Sequence, residues 1–125
     1  MLGNITAVPS LAVKDMTVAR AFYEGLLGLQ VETTHGDDML LLKSGETRIN
    51  LYRSDFAGTN QATALTWAVG PQLEQIVEEL RAHAIAFEHY DMPGVQRTGD
   101  VHDAGGMKTA WFKDPDGNIL NLINA

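Results

Sequence analysis

The chain has 125 residues, a formal net charge of −7 and no cysteine. That length suits one domain with a real core. The missing Cys excludes disulfides and thiolate chemistry, and an acidic chain with no basic cluster argues against nucleic acid or an anionic membrane as a partner. No apolar run is long enough to span a bilayer. Met1-Leu2-Gly3-Asn4 lacks the basic start of a secretory signal, so a cytoplasmic protein is expected.

Ile5 to Val13 reads as the first strand, with Leu11 and Val13 on one face and Val8, Ser10 and Ala12 on the other. Pro9 cannot donate to a ladder, which suits an edge or an irregularity. Asp15 is a good N-cap. Met16, Ala19, Phe22/Tyr23 and Leu26/Leu27 then recur at three- and four-residue steps, the apolar stripe of a helix that Gly28 ends. Strands are expected at Leu29 to Thr33, Met39 to Lys43 and Thr47 to Arg53, separated by turns at His35-Gly36-Asp37-Asp38 and Gly45-Glu46.

Residues 54–62 are polar and read as a linker. Thr63 to Val69 is a strand, and Gly70-Pro71 opens a helix with Pro at its first position. Leu73, Ile76, Val77 and Leu80 form its buried stripe. Ile85 to His89 is a further strand, residues 90–106 a long loop, and Lys108 to Lys113 and Asn118 to Ile123 the closing pair. Between those two, Pro115 and Asp116 suit the middle of a tight turn, and Gly117 supplies the left-handed residue of a bulge.

The order is strand, helix, three strands, twice. Leu11-Ala12-Val13-Lys14-Asp15 matches Trp67-Ala68-Val69-Gly70-Pro71, and Leu29-Gln30-Val31 matches Ile85-Ala86-Phe87 at the same offset. Internal duplication implies two like half-units. The expected fold is α+β: two βαβββ modules, residues 5–53 and 63–125, in one domain spanning 1–125. Their mixed sheet is expected to curl into an open cup with the helices on its convex side.

Asp15-Met16-Thr17-Val18-Ala19-Arg20-Ala21-Phe22-Tyr23 with Leu27-Gly28-Leu29, together with Asp114-Pro115-Asp116-Gly117-Asn118, resembles the vicinal oxygen chelate superfamily, the group of glyoxalase I, bleomycin- and fosfomycin-resistance proteins and extradiol dioxygenases. The resemblance covers essentially the whole chain and implies a homodimer. It also implies up to four metal ligands on cavity-facing strand positions. Here they fall on Val8, Asn50, Ala64 and Asn121, of which two have no donor atom and two offer only neutral amides. No metal and no cofactor are therefore expected.

On the fourth strand Arg48, Asn50 and Tyr52 share a face, which the resemblance makes the cavity. With Trp111 and Asn121 they form the expected small-molecule site. Trp67 has core parity. His102, in the long loop, and Tyr52 are the candidates for moving a proton. His35, His83 and His89 share no metal-ligand spacing with it or with one another. The expected function is capture of a small hydrophobic or aromatic molecule. The alternatives are an enzyme, metal-independent or with ligands elsewhere, and a purely structural dimer.

Overall fold

Asp15 starts the first helix as its sequence requires: its Oδ1 accepts from the amides of Thr17 (2.8 Å) and Val18 (3.2 Å). The computed structural model that shows this describes residues 1–125 and divides them into two compact units, Met1–Thr59 and Asn60–Ala125.

In the first unit the order is β1 (Ser10–Val13), α1 (Met16–Arg20), β2 (Gln30–His35), β3 (Met39–Ser44) and β4 (Thr47–Arg53). The sheet order is β1-β4-β3-β2, with β1 parallel to β4 and the other pairs antiparallel. So β1 is an edge strand, as Pro9 demands. It begins at Ser10 rather than Ile5, because Pro9 has no amide to donate to a ladder. The expected single helix is also divided. Beyond Arg20 the chain widens into a π turn over Ala21–Leu26, where the Leu27 amide reaches the Phe22 carbonyl at 2.9 Å. Gly28, at φ 78°, then ends it. Leu11, Val13, Leu40, Leu42, Ile49 and Leu51 are buried from the strands, and Met16, Ala19, Phe22 and Tyr23 from the helical segment. Each buried aliphatic side chain of that size contributes roughly 1.5–3 kcal/mol.

The second unit runs β5 (Thr63–Ala68), a single 3₁₀ turn (Gly70–Gln72), α2 (Leu73–Ala82), β6 (Phe87–Glu88), β7 (Gln96–Thr98), β8 (Val101–Ala104), β9 (Met107–Lys113) and β10 (Ile119–Ile123). Its sheet order is β5-β10-β9-β8-β7, and β6 also pairs with β9. Here β5 is parallel to β10, as β1 is to β4. Both units therefore follow the βαβββ plan, the second with a hairpin added. The apolar stripe of α2 is buried at Leu73, Val77 and Leu80, and Lys108 of β9 reaches Glu74 of α2 at 2.9 Å.

The expected loop at 90–106 is in part that hairpin. Gly99, at φ 61°, turns β7 into β8, and Gly105-Gly106 turns β8 into β9. These two-residue turns need positive φ, which glycine adopts without strain. His102 consequently lies on a strand, not in a loop. The expected strand 85–89 shrinks to Phe87–Glu88, since β8 occupies the rest of that edge of β9. The turn at 114–118 forms as the sequence suggests. The Gly117 amide donates to the Asp114 carbonyl, and buried Asp114 Oδ1 accepts from the amides of Asp116 and Asn118, both at 2.9 Å. No helix is long and apolar enough to cross a membrane.

Candidate functional site

Pleating puts one side chain of each strand in a row across the sheet. In the first unit Ser10, Asn50, Leu41 and Thr33 are paired in such a row across β1, β4, β3 and β2. It lies on the face opposite Leu11, Ile49, Leu51 and Leu42, which are buried. Val8, Ser10, Thr33, His35, Met39, Leu41 and Asn50 line a pocket of about 310 Å³ there. Asn50 is half-buried, and its side-chain amide makes no hydrogen bond within the chain.

The corresponding row of the second unit is Thr66, Asn121, Trp111 and Glu88, across β5, β10, β9 and β6. Asn121 matches Asn50 in register and differs in chemistry. It is buried, its Oδ1 accepts from the Thr66 hydroxyl at 3.1 Å, and its Nδ2 donates to the Thr109 hydroxyl and to the Ala110 carbonyl at 3.1 Å. Thr109 occupies on β9 the register that Met39 occupies on β3. A hydroxyl there locks one amide, and a thioether leaves the other free.

Of the other residues singled out by sequence, Arg48 and Tyr52 share the open face with Asn50. Arg48 is engaged: its Nε and Nη2 donate to the two oxygens of Glu32 at 2.7 and 3.3 Å. Tyr52 is partly exposed. Trp111 donates from Nε1 to the Thr63 hydroxyl at 3.2 Å and packs edge-on against Tyr90 and His102, with ring centroids 5.2 and 5.0 Å away.

His102 is wholly buried. Its Nε2 accepts the Tyr90 backbone amide at 3.0 Å, which requires the neutral ring with its proton on Nδ1. Nδ1 has no hydrogen-bond partner. Burial pushes the imidazole pKa down, and the charges of Arg97 and His89 act the same way against an opposing backbone interaction with Thr109. Nearby, Asp100 accepts from His89 Nε2 at 2.7 Å and from Arg81 Nη2 at 2.6 Å. The His89 hydrogen bond, and then Arg81, hold its carboxyl below the usual range despite partial burial. This network ties the β7–β8 turn to the end of α2 and to the residue after β6. A second pocket, of about 450 Å³, is lined by Tyr90, Asp91, Met92, Pro93, Val95, Arg97 and His102.

The donor set does not fit the metal that the resemblance implies. Val8 and Ala64 have no donor atom, Asn121 has its amide committed to neighbours, and Asn50 alone is a poor ligand. Nor do three His, Asp or Glu side chains gather elsewhere.

Sequence reasoning missed His35 and Thr33. Both lie on β2 beyond an irregularity between Val31 and Thr33. Simple alternation puts Val31 and Thr33 on one face. The irregularity instead pairs Val31 with core Leu42 and Thr33 with Leu41, so no sequence signal marked them.

Among solved structures the chain is similar to a glyoxalase family protein from Enterococcus faecalis, with 22% identity and a TM-score of 0.73 over 98% of this chain and 99% of that one. It is also similar to a lactoylglutathione lyase from Agrobacterium tumefaciens, with 16% identity and a TM-score of 0.71 over 97% and 94%. A third likeness is to the fosfomycin resistance protein FosX from Listeria monocytogenes complexed with Mn(II) and sulfate, with 13% identity and a TM-score of 0.72 over 98% and 90%. At these identities the likeness is one of fold. A family model matches residues 4–122, nearly the full length, and the duplicated βαβββ plan agrees with it: the chain belongs to the Glyoxalase/Bleomycin resistance protein/Dioxygenase superfamily.

Proposed function

We propose that this protein, as a cytoplasmic homodimer, captures a small hydrophobic or aromatic molecule without a metal, and that Asn50 is its recognition group. The observation that supports this reading is an unsatisfied side-chain amide in a part-apolar pocket: the Asn50 side chain makes no hydrogen bond within the chain and shares its concavity with Val8, Met39 and Leu41 as well as Ser10, Thr33 and His35. A few fixed polar groups among apolar walls are the usual form of a small-molecule site. The walls supply affinity at about 25 cal/mol per Å² of apolar surface removed from water. The amide supplies orientation, worth about 0.5–1.5 kcal/mol for a hydrogen bond. Arg48 and Tyr52, on the same face of β4, extend the site. The likeness to a fosfomycin resistance protein makes antibiotic-like molecules the first panel to try.

The test is a ¹H–¹⁵N titration of the full chain with neutral aromatic and aliphatic molecules. Saturable shifts at the Asn50 side-chain amide and at His35 and Met39, weakened several-fold in Asn50→Leu, are expected. No saturable shift on these strands with any compound would overturn the reading.

One observation favours a second reading, a metal-independent enzyme. His35 lines the same pocket as Asn50, and Tyr52 shares the strand face. Proton transfer would then fall to His35 or Tyr52 more readily than to His102, whose Nε2 is already occupied. Ligand turnover abolished in His35→Asn with binding retained would favour it.

A further inference from the structure

We propose that the pocket beneath the β7–β8 hairpin is a second binding site, which takes a small monocarboxylate with an apolar body and anchors its carboxylate on Arg97. Of the five arginines, Arg20, Arg48, Arg53 and Arg81 each meet a carboxylate within 4 Å. Arg97 meets none. Its Nη1 donates to the Gly99 carbonyl at 2.6 Å, which holds the guanidinium in place while its other donors stay free. In a chain of net charge −7, an arginine with no carboxylate within 4 Å stands out. It lines the pocket of about 450 Å³.

The other walls define the rest of the ligand. Met92, Pro93 and Val95 are apolar, and Tyr90 adds an aromatic ring. Tyr90 is held by ring packing against Trp111 and by the hydrogen bond that its backbone amide donates to His102 Nε2. His102, opposite Arg97 in the hairpin register, is wholly buried and leaves Nδ1 without a partner. The lining thus combines one cation with an apolar wall. Asp91 lies in the same lining. Its charge weighs against a dianion such as phosphate more than against a single carboxylate. A planar carboxylate also suits the bidentate fork of a guanidinium.

This pocket shares no lining residue with the Asn50 pocket, and the two can fail independently. The experiment is a ¹H–¹⁵N titration of the full chain with 3-phenylpropanoate, with its neutral amide and with 3-phenylpropylphosphonate. Saturable shifts are expected at residues 90–97, at His102 and at the Trp111 indole, with the carboxylate binding at least tenfold more tightly than either comparator. Arg97→Gln should remove that preference, Arg97→Lys should keep part of it, and Asn50→Leu should leave it unchanged. Unperturbed amides elsewhere in the Arg97 variants verify the fold. Equal affinity for carboxylate and amide, equal affinity in Arg97→Gln, or shifts confined to residues 8–50 would overturn the proposal. So would no saturable shift with aromatic, branched or straight-chain carboxylates.

Discussion

Asn50 and Asn121 hold the same place in two copies of one sheet and have opposite fates. Two hydroxyls and a carbonyl satisfy Asn121 in its buried position, and Asn121→Leu removes all three hydrogen bonds. We expect it to lower unfolding free energy by about 1–3 kcal/mol. Asn50→Leu breaks no bond and should stay within about 0.5 kcal/mol of the parent. Denaturant titration of both variants checks the contrast. His102 makes stability depend on pH. Its folded pKa lies below the ordinary value of 6.5, so the unfolded chain takes up the proton first as pH falls. The stability of the neutral ring is complete above about 6.5 and declines below it, by no more than about 1.4 kcal/mol per pH unit. Unfolding curves at pH 7.5 and 5.5 should show this decline, smaller in His102→Phe. The contribution of Asp100 is lost only at lower pH, as its depressed carboxyl titrates below the usual range.

At the scale of elements, each module ends its helical segment in a left-handed residue, with Gly28 at φ 78° in the first and Ala84 at φ 64° in the second. The second is strained. An alanine Cβ crowds the neighbouring carbonyl in that conformation, and glycine does not. The strain is held because the Ala84 and Ile85 amides bond back to the Arg81 and Leu80 carbonyls at 3.0 and 3.1 Å. Ala84→Gly should therefore raise stability by roughly 0.5–1 kcal/mol, after allowing for glycine's freer unfolded chain. A thermal melt measures it, and an unchanged or lowered midpoint would show that the loop relaxes without cost. The hairpin of β7 and β8 teaches a related lesson. Gly99-Asp100 and Gly105-Gly106 are turn signals of the two-residue kind. They sit among so many polar residues that composition read as loop, and the strands between them have few apolar residues to show alternation.

For the whole molecule, the family is shown by the match over residues 4–122, while the residues at the implied metal positions depart from its chemistry. The expected outcome is that protein purified without a His tag, then dialysed against excess Mn, Ni, Zn or Fe, retains under about a tenth of an equivalent, far below a structural or catalytic site. Elemental analysis decides it. Near one equivalent per chain would overturn the assignment of Val8, Asn50, Ala64 and Asn121.

The sequence by itself determined the duplicated strand–helix–strand order, the Asp15 cap, the turn at Asp114–Gly117 and the faces of β4 and β10. All of these rest on local rules: capping geometry, turn conformation and side-chain period. Tertiary structure alone decided which amide is free, because that depends on Thr109 or Met39 lying across the sheet, far away in sequence. It alone decided that β2 changes face after Val31, which brings Thr33 and His35 to the pocket. And it alone gathered Tyr90, Arg97, His102 and Trp111, because hydrogen bonding between distant strands, not any local preference, sets their register.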